Sequence, residues 1–323
     1  MKKASYTILT LLGAIIVILV GIRGSRGIDA ALRLSKLKGC SVLISESVEP
    51  GSIRSLGSLA KWIEWRIGAT PDQIYLKCNS PQFHSSVLDI LEGISGLKVL
   101  RLDDTRIEFG DLRKLFELGQ VEHFELRNII VEKIDREIDV VPRTGARSLK
   151  VSGLQAGSAP ETSFVINYLL ASLAHLSSLE LVSVRADELS DSPVFKTLNS
   201  LSLVGIDLSL DTPLFLQSST RLQSLKMTDL QLSLGVIELI AIMPQLKSLS
   251  FDGVDLSETQ LQKLRSCPSL QVLSLKRTNV KPSYLLGFSK LHSVIVDSEF
   301  PEPSQSQMDN PEMPLLFVDD PGL

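Results

Sequence analysis

Leu97-Lys-Val-Leu-Arg-Leu-Asp-Asp-Thr-Arg-Ile107 decides how this chain reads, because the pattern returns three more times with little change. Leu222-Gln-Ser-Leu-Lys-Met-Thr-Asp-Leu-Gln-Leu232, Leu246-Lys-Ser-Leu-Ser-Phe-Asp-Gly-Val-Asp-Leu256 and Leu270-Gln-Val-Leu-Ser-Leu-Lys-Arg-Thr-Asn-Val280 match it position by position. Residues i and i+2 of a strand face the same way, so Leu100 and Leu102 are expected to turn inward together. The next variable stretch turns the chain, and Ile107 drops back into the core. With the second apolar residue of each copy as a marker, the series is Leu100, Phe124, Leu149, Leu179, Leu201, Leu225, Leu249, Leu273 and Val294. The steps are 24, 25, 30, 22, 24, 24, 24 and 21 residues.

A strand-forming apolar motif at this near-constant period is a leucine-rich repeat. One unit cannot bury its apolar face alone, so copies stack. The fold class expected is an α/β solenoid, a leucine-rich-repeat horseshoe with parallel strands on the concave face and mostly helices on the convex face. Two weaker copies are placed upstream, at Ile74-Tyr-Leu76 and Val42-Leu-Ile44. The repeats override the one-or-two-domain prior for 323 residues. Four segments follow: 1–27, an N-terminal membrane anchor or signal segment; 28–72, a helical cap; 73–300, the solenoid; and 301–323, a Pro-rich, partly disordered tail. Within that tail, Leu315-Leu-Phe-Val318 is expected to fold back over the last repeat.

The N-terminus opens Met1-Lys-Lys, and residues 4–22 carry no charge. At about 1.5 Å per residue, such a run just crosses a thin hydrocarbon layer. A cleaved signal peptide also starts this way, but Val20-Gly-Ile-Arg-Gly-Ser25 offers no good small-x-small cleavage site. The reading is an uncleaved signal-anchor through residues 4–22, single-pass, with the repeats outside the cytoplasm. Short helices are expected over residues 28–37 and 53–67, with Trp62 and Trp65 sealing the end of the first repeat.

Behind the strands, apolar spacing predicts helical segments at 87–94, 112–116, 134–141, 164–176, 236–242 and 261–264. A thin segment is expected at 212–219, and Ser257 with Gln260 suggests a capping box. Many leucine-rich repeats carry asparagine two places before the last apolar residue of the motif. Here that column runs Thr105, Ile129, Leu154, Val184, Ile206, Leu230, Val254 and Thr278, so a buried apolar turn takes over.

Apolar residues make up 44% of the chain and the formal net charge is −4. Without a basic stripe there is no case for nucleic acid. The cysteines are Cys40, Cys78 and Cys267, an odd, sparse set unlike a disulfide scaffold. If Val42 and Ile74 mark adjacent repeat strands, an offset of about six residues argues against a Cys40–Cys78 bridge. None of the four histidines shares a metal-ligand spacing, and no C-x-x-C, G-x-S-x-G, Walker loop or dinucleotide fingerprint occurs. His123 alone falls on the open face, with no nucleophile and orienter to complete a site. No metal, no cofactor and no enzyme activity are expected.

The open strand face is where a partner usually sits. The residue after each marker runs Arg101, Glu125, Lys150, Glu180, Ser202, Lys226, Ser250 and Ser274. On strands about 4.8 Å apart, its first four members read as an alternating charge ladder of ordinary solvated surface. Beyond it lies a small, serine-rich strip holding Val182 and Val204. The candidate protein-binding residues are Glu180, Val182, Ser202, Val204, Lys226 and Thr228. They lack the tyrosine, tryptophan and arginine cluster of a strong hot spot.

Leu97-x-x-Leu-x-Leu-x-x-Thr-x-Ile107, Leu270-x-x-Leu-x-Leu-x-x-Thr-x-Val280 and the lead-in Ala30-Ala31, Gly39 and Val42 resemble bacterial leucine-rich-repeat proteins of a planctomycete-like, membrane-anchored type. The resemblance spans roughly residues 28–300 and implies a binding role. The chain departs from it in the apolar middle copies of the threonine column and in lacking the Thr-Asp-x-Gly-Leu connector. The functional expectation is a noncatalytic protein-binding scaffold tethered to a membrane, with a partner of unknown identity. The alternative is a structural envelope component or spacer without a specific ligand.

Overall fold

Alternation of apolar and polar residues over five positions makes each repeat start as a strand, and the structure, a computed structural model, follows that alternation. It describes residues 40–45, 73–78, 83, 85–92, 97–135, 145–173, 175–186, 189, 192–209, 213–288, 290–297 and 316–318. The chain divides into two units, Met1–Ile138 and Asp139–Leu323. The predicted helices at 28–37, 53–67 and most of 134–141, together with Trp62 and Trp65, lie outside the described residues.

In the first unit the strands are β1 (Cys40–Ser45), β2 (Gln73–Cys78), β3 (Val99–Asp103), β4 (Arg106–Glu108), β5 (His123–Arg127) and β6 (Ile130–Glu132), and the helices are α1 (Ser85–Glu92) and α2 (Phe109–Phe116). β2, β3 and β5 pair in parallel, with Ile74 opposite Leu100 and Leu100 opposite Phe124. Leu100, Leu102, Phe124 and Leu126 are buried, so the inward pairs fall where the motif puts them. The rings of Phe116 and Phe124 stack with centroids 4.3 Å apart, joining α2 to the sheet. β4 and β6 form a second, two-stranded parallel sheet, with Ile107 and Val131 buried in register. Arg106–Glu132 and Lys133–Glu108 ion pairs flank that sheet.

β1 corrects one reading. It pairs antiparallel to β2, Cys40 opposite Cys78 and Ser45 opposite Gln73, so Val42-Leu-Ile44 is no extra repeat copy. The strand pattern has period two in either chain direction, and direction is what the spacing argument assumed. The offset of about six residues between the cysteines vanishes when the strand is reversed.

In the second unit the strands are β7 (Ser148–Ser152), β8 (Ser178–Val182), β9 (Ser200–Val204), β10 (Ser224–Thr228), β11 (Ser248–Asp252), β12 (Val272–Lys276), β13 (Ser293–Val296) and β14 (Leu316–Val318). All pair in parallel, each with the next. The markers Leu149, Leu179, Leu201, Leu225, Leu249, Leu273 and Val294 are in register and buried. Leu316–Val318 adds a strand at the sheet edge beside β13 rather than a cover over the last repeat. The helices are α3 (Ala159–Ser172), α4 (Leu214–Ser218), α5 (Leu234–Ala241) and α6 (Glu258–Leu264), with 3-10 turns at Pro193–Lys196 and Pro282–Leu285. α3 begins five residues before the predicted 164, because Pro160 in its first turn needs no donor. Ser257 and Gln260 form the expected capping box at α6. The fold is a leucine-rich-repeat α/β solenoid, one parallel strand per repeat with helices or 3-10 turns behind it.

Two backbone devices join the repeats. Ahead of β5 and of β8 to β13, two N–H groups donate to one carbonyl of the preceding repeat: Asn199 takes Gln223 and Ser224, and Gln223 takes Lys247 and Ser248. After β3, β5 and β7 to β12 sits a residue with left-handed φ: Asp104, Asn128, Gly153, Ser183, Gly205, Asp229, Gly253 and Arg277. The N–H groups of Asp104, Ser183, Gly205, Asp229 and Gly253 reach the last carbonyl of the neighbouring strand, as from Gly205 to Thr228 at 2.9 Å and from Asp229 to Asp252 at 2.8 Å, whereas the Arg277 N–H donates to the Asp297 carboxylate. This backbone tie stands where an asparagine side chain would otherwise hold the turn. Ile129, Leu154, Val184, Ile206, Leu230 and Val254 fill the space beneath it.

The membrane reading is also corrected. No helix among the described residues is long and apolar enough to cross a membrane, and the longest of them, α3, has 14 residues. The run 4–22 lies outside the described residues. The tether, the single-pass localisation and the membrane-anchored type therefore drop from the description, which keeps the repeat fold.

Candidate functional site

The six residues picked from the sequence lie on three neighbouring strands of the second unit. Glu180 pairs with Ser202 and Val182 with Val204 between β8 and β9; Ser202 pairs with Lys226 and Val204 with Thr228 between β9 and β10. Each flanks a buried pair, Leu179/Leu181, Leu201/Leu203 or Leu225/Met227. Strand alternation turns them outward together. Lys226 is exposed and the other five are half-buried. Below them a row of serines, Ser178, Ser200, Ser224 and Ser248, runs in strict register across β8 to β11.

The electrostatics of this face are uneven. Glu180 is held by Lys150 at 2.6 Å, one link of the predicted charge ladder. In the first unit, Arg101 to Glu125 at 3.6 Å is another. Among the described residues Lys226 makes no ion pair, and the Thr228 hydroxyl is buried without a hydrogen-bond partner. The centre of the face is thus apolar or small, with its fixed charge at one side.

A second cluster was missed. At the ends of β9 to β11 an open groove of about 720 Å³ is lined by Asp207, Asp229, Asp255, Gly205, Gly253 and Gln260, among others. Beside it Arg277 spans two repeats: its Nε donates to Asp252 at 2.7 Å and its Nη2 lies 3.1 Å from Asp229. Gly253 lies between and leaves room for this reach. The sequence signal was the recurrence of glycine, aspartate or asparagine four places after the marker, the residues that tolerate left-handed φ. The groove does not assemble a catalytic base. The Ser209 hydroxyl and N–H hold Asp207 below the usual carboxylate range, and Asp229 is engaged by Arg277. No group of three or more His, Cys, Asp and Glu that could hold a metal occurs among the described residues. His123 is exposed on β5.

This geometry makes Gly253 sensitive. A Cβ there would lie 2.1 Å from Asp229 Oδ1 and 3.3 Å from Arg277 Nη2, on a backbone with φ +64°. Gly253→Ala is expected to destabilise by about 1–2 kcal/mol from left-handed strain and to push the Asp229 carboxylate off Arg277. Gly205→Ala, at φ +61° with its nearest contact 3.4 Å away, carries the strain alone. Melts at low and high salt should show the ion-pair loss only in Gly253→Ala. Identical salt dependence in the two variants would refute the bridging role of Gly253.

No protein-family model and no curated protein matches the chain. Solved structures do match at the level of fold. An internalin (inlF) of Listeria monocytogenes has 15% identity and a TM-score of 0.44, covering 72% of this chain and 70% of that one. An internalin C2 (inlC2) of the same organism has 17% identity and a TM-score of 0.42, covering 65% and 83%. The structure of a TLR13-ssRNA13 complex has 17% identity and a TM-score of 0.46, covering 73% of this chain and 37% of that chain. The leucine-rich-repeat assignment itself rests on this chain's own motif and on the register of its strands.

Proposed function

We propose that this protein is a noncatalytic protein-binding scaffold whose contact surface is the strand face of β8, β9 and β10. The observation that carries the reading is the Val182–Val204 pair, side by side on adjacent strands, with Thr228 next in register and small serines below. Such a surface is cheap to desolvate at its centre, and it is held flat by the sheet. Glu180 and Lys226 supply the polar rim that fixes orientation.

Val204→Arg tests it, because it adds bulk and charge to the face without entering the core. Lys98→Glu, in the first unit, is the control; its partner there is Glu122 at 3.7 Å. A photo-crosslinker at position 204 in the native cell first identifies the partner, and capture of that partner is then measured for both variants. Val204→Arg should lower capture by at least about tenfold, as a 1.4 kcal/mol loss would, while Lys98→Glu and both melts stay near wild type. Undiminished capture by Val204→Arg would remove this face and move the contact to the helix side, where Leu214, Leu234 and Ile242 are exposed.

A further inference from the structure

We propose that Cys40 and Cys78 form a disulfide that staples β1 to β2. The two cysteines are direct partners at one end of an antiparallel ladder six pairs long. Directly opposite residues in such a ladder have Cα atoms about 4.5–5.5 Å apart. That interval lies inside the span of about 4.4–6.8 Å that a disulfide bridges. Partners in register also share a face of the ladder, and a one-residue slip would set Cys40 against Lys77 and leave the two cysteine positions on opposite faces. The register is therefore what makes the pair, and nothing in the strand pattern requires a cysteine at either position.

The staple has a place in the fold. Among the described residues β1 is the terminal strand of its sheet, with β2 as its neighbour, and an edge strand is held from one side alone. A bond from Cys40 to Cys78 would tie that strand to the first parallel strand of the repeats, and it would shrink the unfolded ensemble by linking two distant points of the chain. The chemistry balances as thiol–disulfide exchange with a small-molecule disulfide such as oxidised glutathione. One cysteine thiolate attacks the donor and releases the first thiol. The second thiolate then attacks the mixed disulfide, forms the Cys40–Cys78 bond and releases the second thiol; two protons leave the protein thiols and both electrons go to the donor. Cys267 is a poor competitor. It is buried against the Ile240 carbonyl, with Sγ at 3.8 Å, and burial pushes its thiol above the ordinary range.

The test uses the full chain, reduced and then equilibrated with oxidised glutathione, followed by alkylation in denaturant. Intact mass should show one alkylated cysteine instead of three, and a non-reducing peptide map should link Cys40 to Cys78. Starting the exchange in denaturant should slow this link at least about tenfold, because the ladder then no longer holds the pair. Cys40→Ser should leave two alkylated cysteines, or one with a glutathione on Cys78, and no intramolecular link. Three alkylated cysteines in the oxidised wild type, glutathione adducts without a link, or a link through Cys267 would overturn the proposal.

Discussion

Leu225→Asp is expected to destabilise the second unit by about 5 kcal/mol or more, from lost packing together with the burial of a carboxyl group. Leu225 is 1% exposed at the middle of the sheet, in register with Leu201 on β9 and Leu249 on β11. The substitution therefore damages the seam between three repeats. In a repeat array each unit is stabilised chiefly by its neighbours, so the loss should spread past β10. Limited proteolysis should open sites near Leu201 and Leu249 as well as at residue 225. The pH dependence has a definite sign. An unpartnered buried aspartate stays protonated in the folded state, so its folded pKa lies above its unfolded value of about 3.9. The defect is then smallest in acid and grows as pH rises from about 3.9 through the folded pKa. A melt unchanged from wild type would mean that residue 225 does not sit between the repeats.

The second large effect is expected at Phe215→Ala, about 3–5 kcal/mol. Phe215 belongs to α4, five residues long, which follows Pro213 without a side-chain cap. Helices this short do not form on propensity, because nucleation costs more than one turn returns. Burial must hold it: Phe215 is fully buried, and its ring lies 5.1 Å from that of Phe195 on the 3-10 turn between β8 and β9. Removing one ring leaves two short segments without their common anchor. At about 2–4 °C per kcal/mol for a unit of this size, the melting temperature should fall by roughly 10 °C. Cleavage should appear first between Pro213 and Arg221. A fall of less than about 2 °C would show that backbone ties, such as the bond from the Ser219 hydroxyl to the Phe215 carbonyl at 2.8 Å, suffice without the ring.

The two substitutions also separate two kinds of legibility. Leu225 could be assigned to the core from sequence, because its spacing repeats in every copy. Phe215 could not, since Thr212–Ser219 reads as a thin segment limited by Pro213 and its weight comes from Phe195 in the preceding repeat. The candidate face was legible for the same reason as the core: with Leu179, Leu201 and Leu225 inward, Glu180, Ser202 and Lys226 must point out. The Arg277 bridge was not, because it joins residues 25 and 48 positions apart across a glycine.

The sequence by itself determined whatever depends on the interval between residues. Period two set the inward pairs Leu100/Leu102 and Leu249/Phe251, the repeat of about 24 residues stacked them in parallel, and the Ser257–Gln260 spacing capped α6. Only the tertiary structure decided what is blind to interval. An alternating strand reads the same forwards and backwards, so β1 could be shown antiparallel, and Cys40 opposite Cys78, only by its partner. Leu316–Val318 carries too few residues to name a neighbour, and the open edge of β13 chose it. The left-handed residues after the strands are Gly, Asp and Asn in most repeats, yet Ser183 and Arg277 take the same conformation. There, the N–H bond to the next repeat outweighs the local preference that sequence can report.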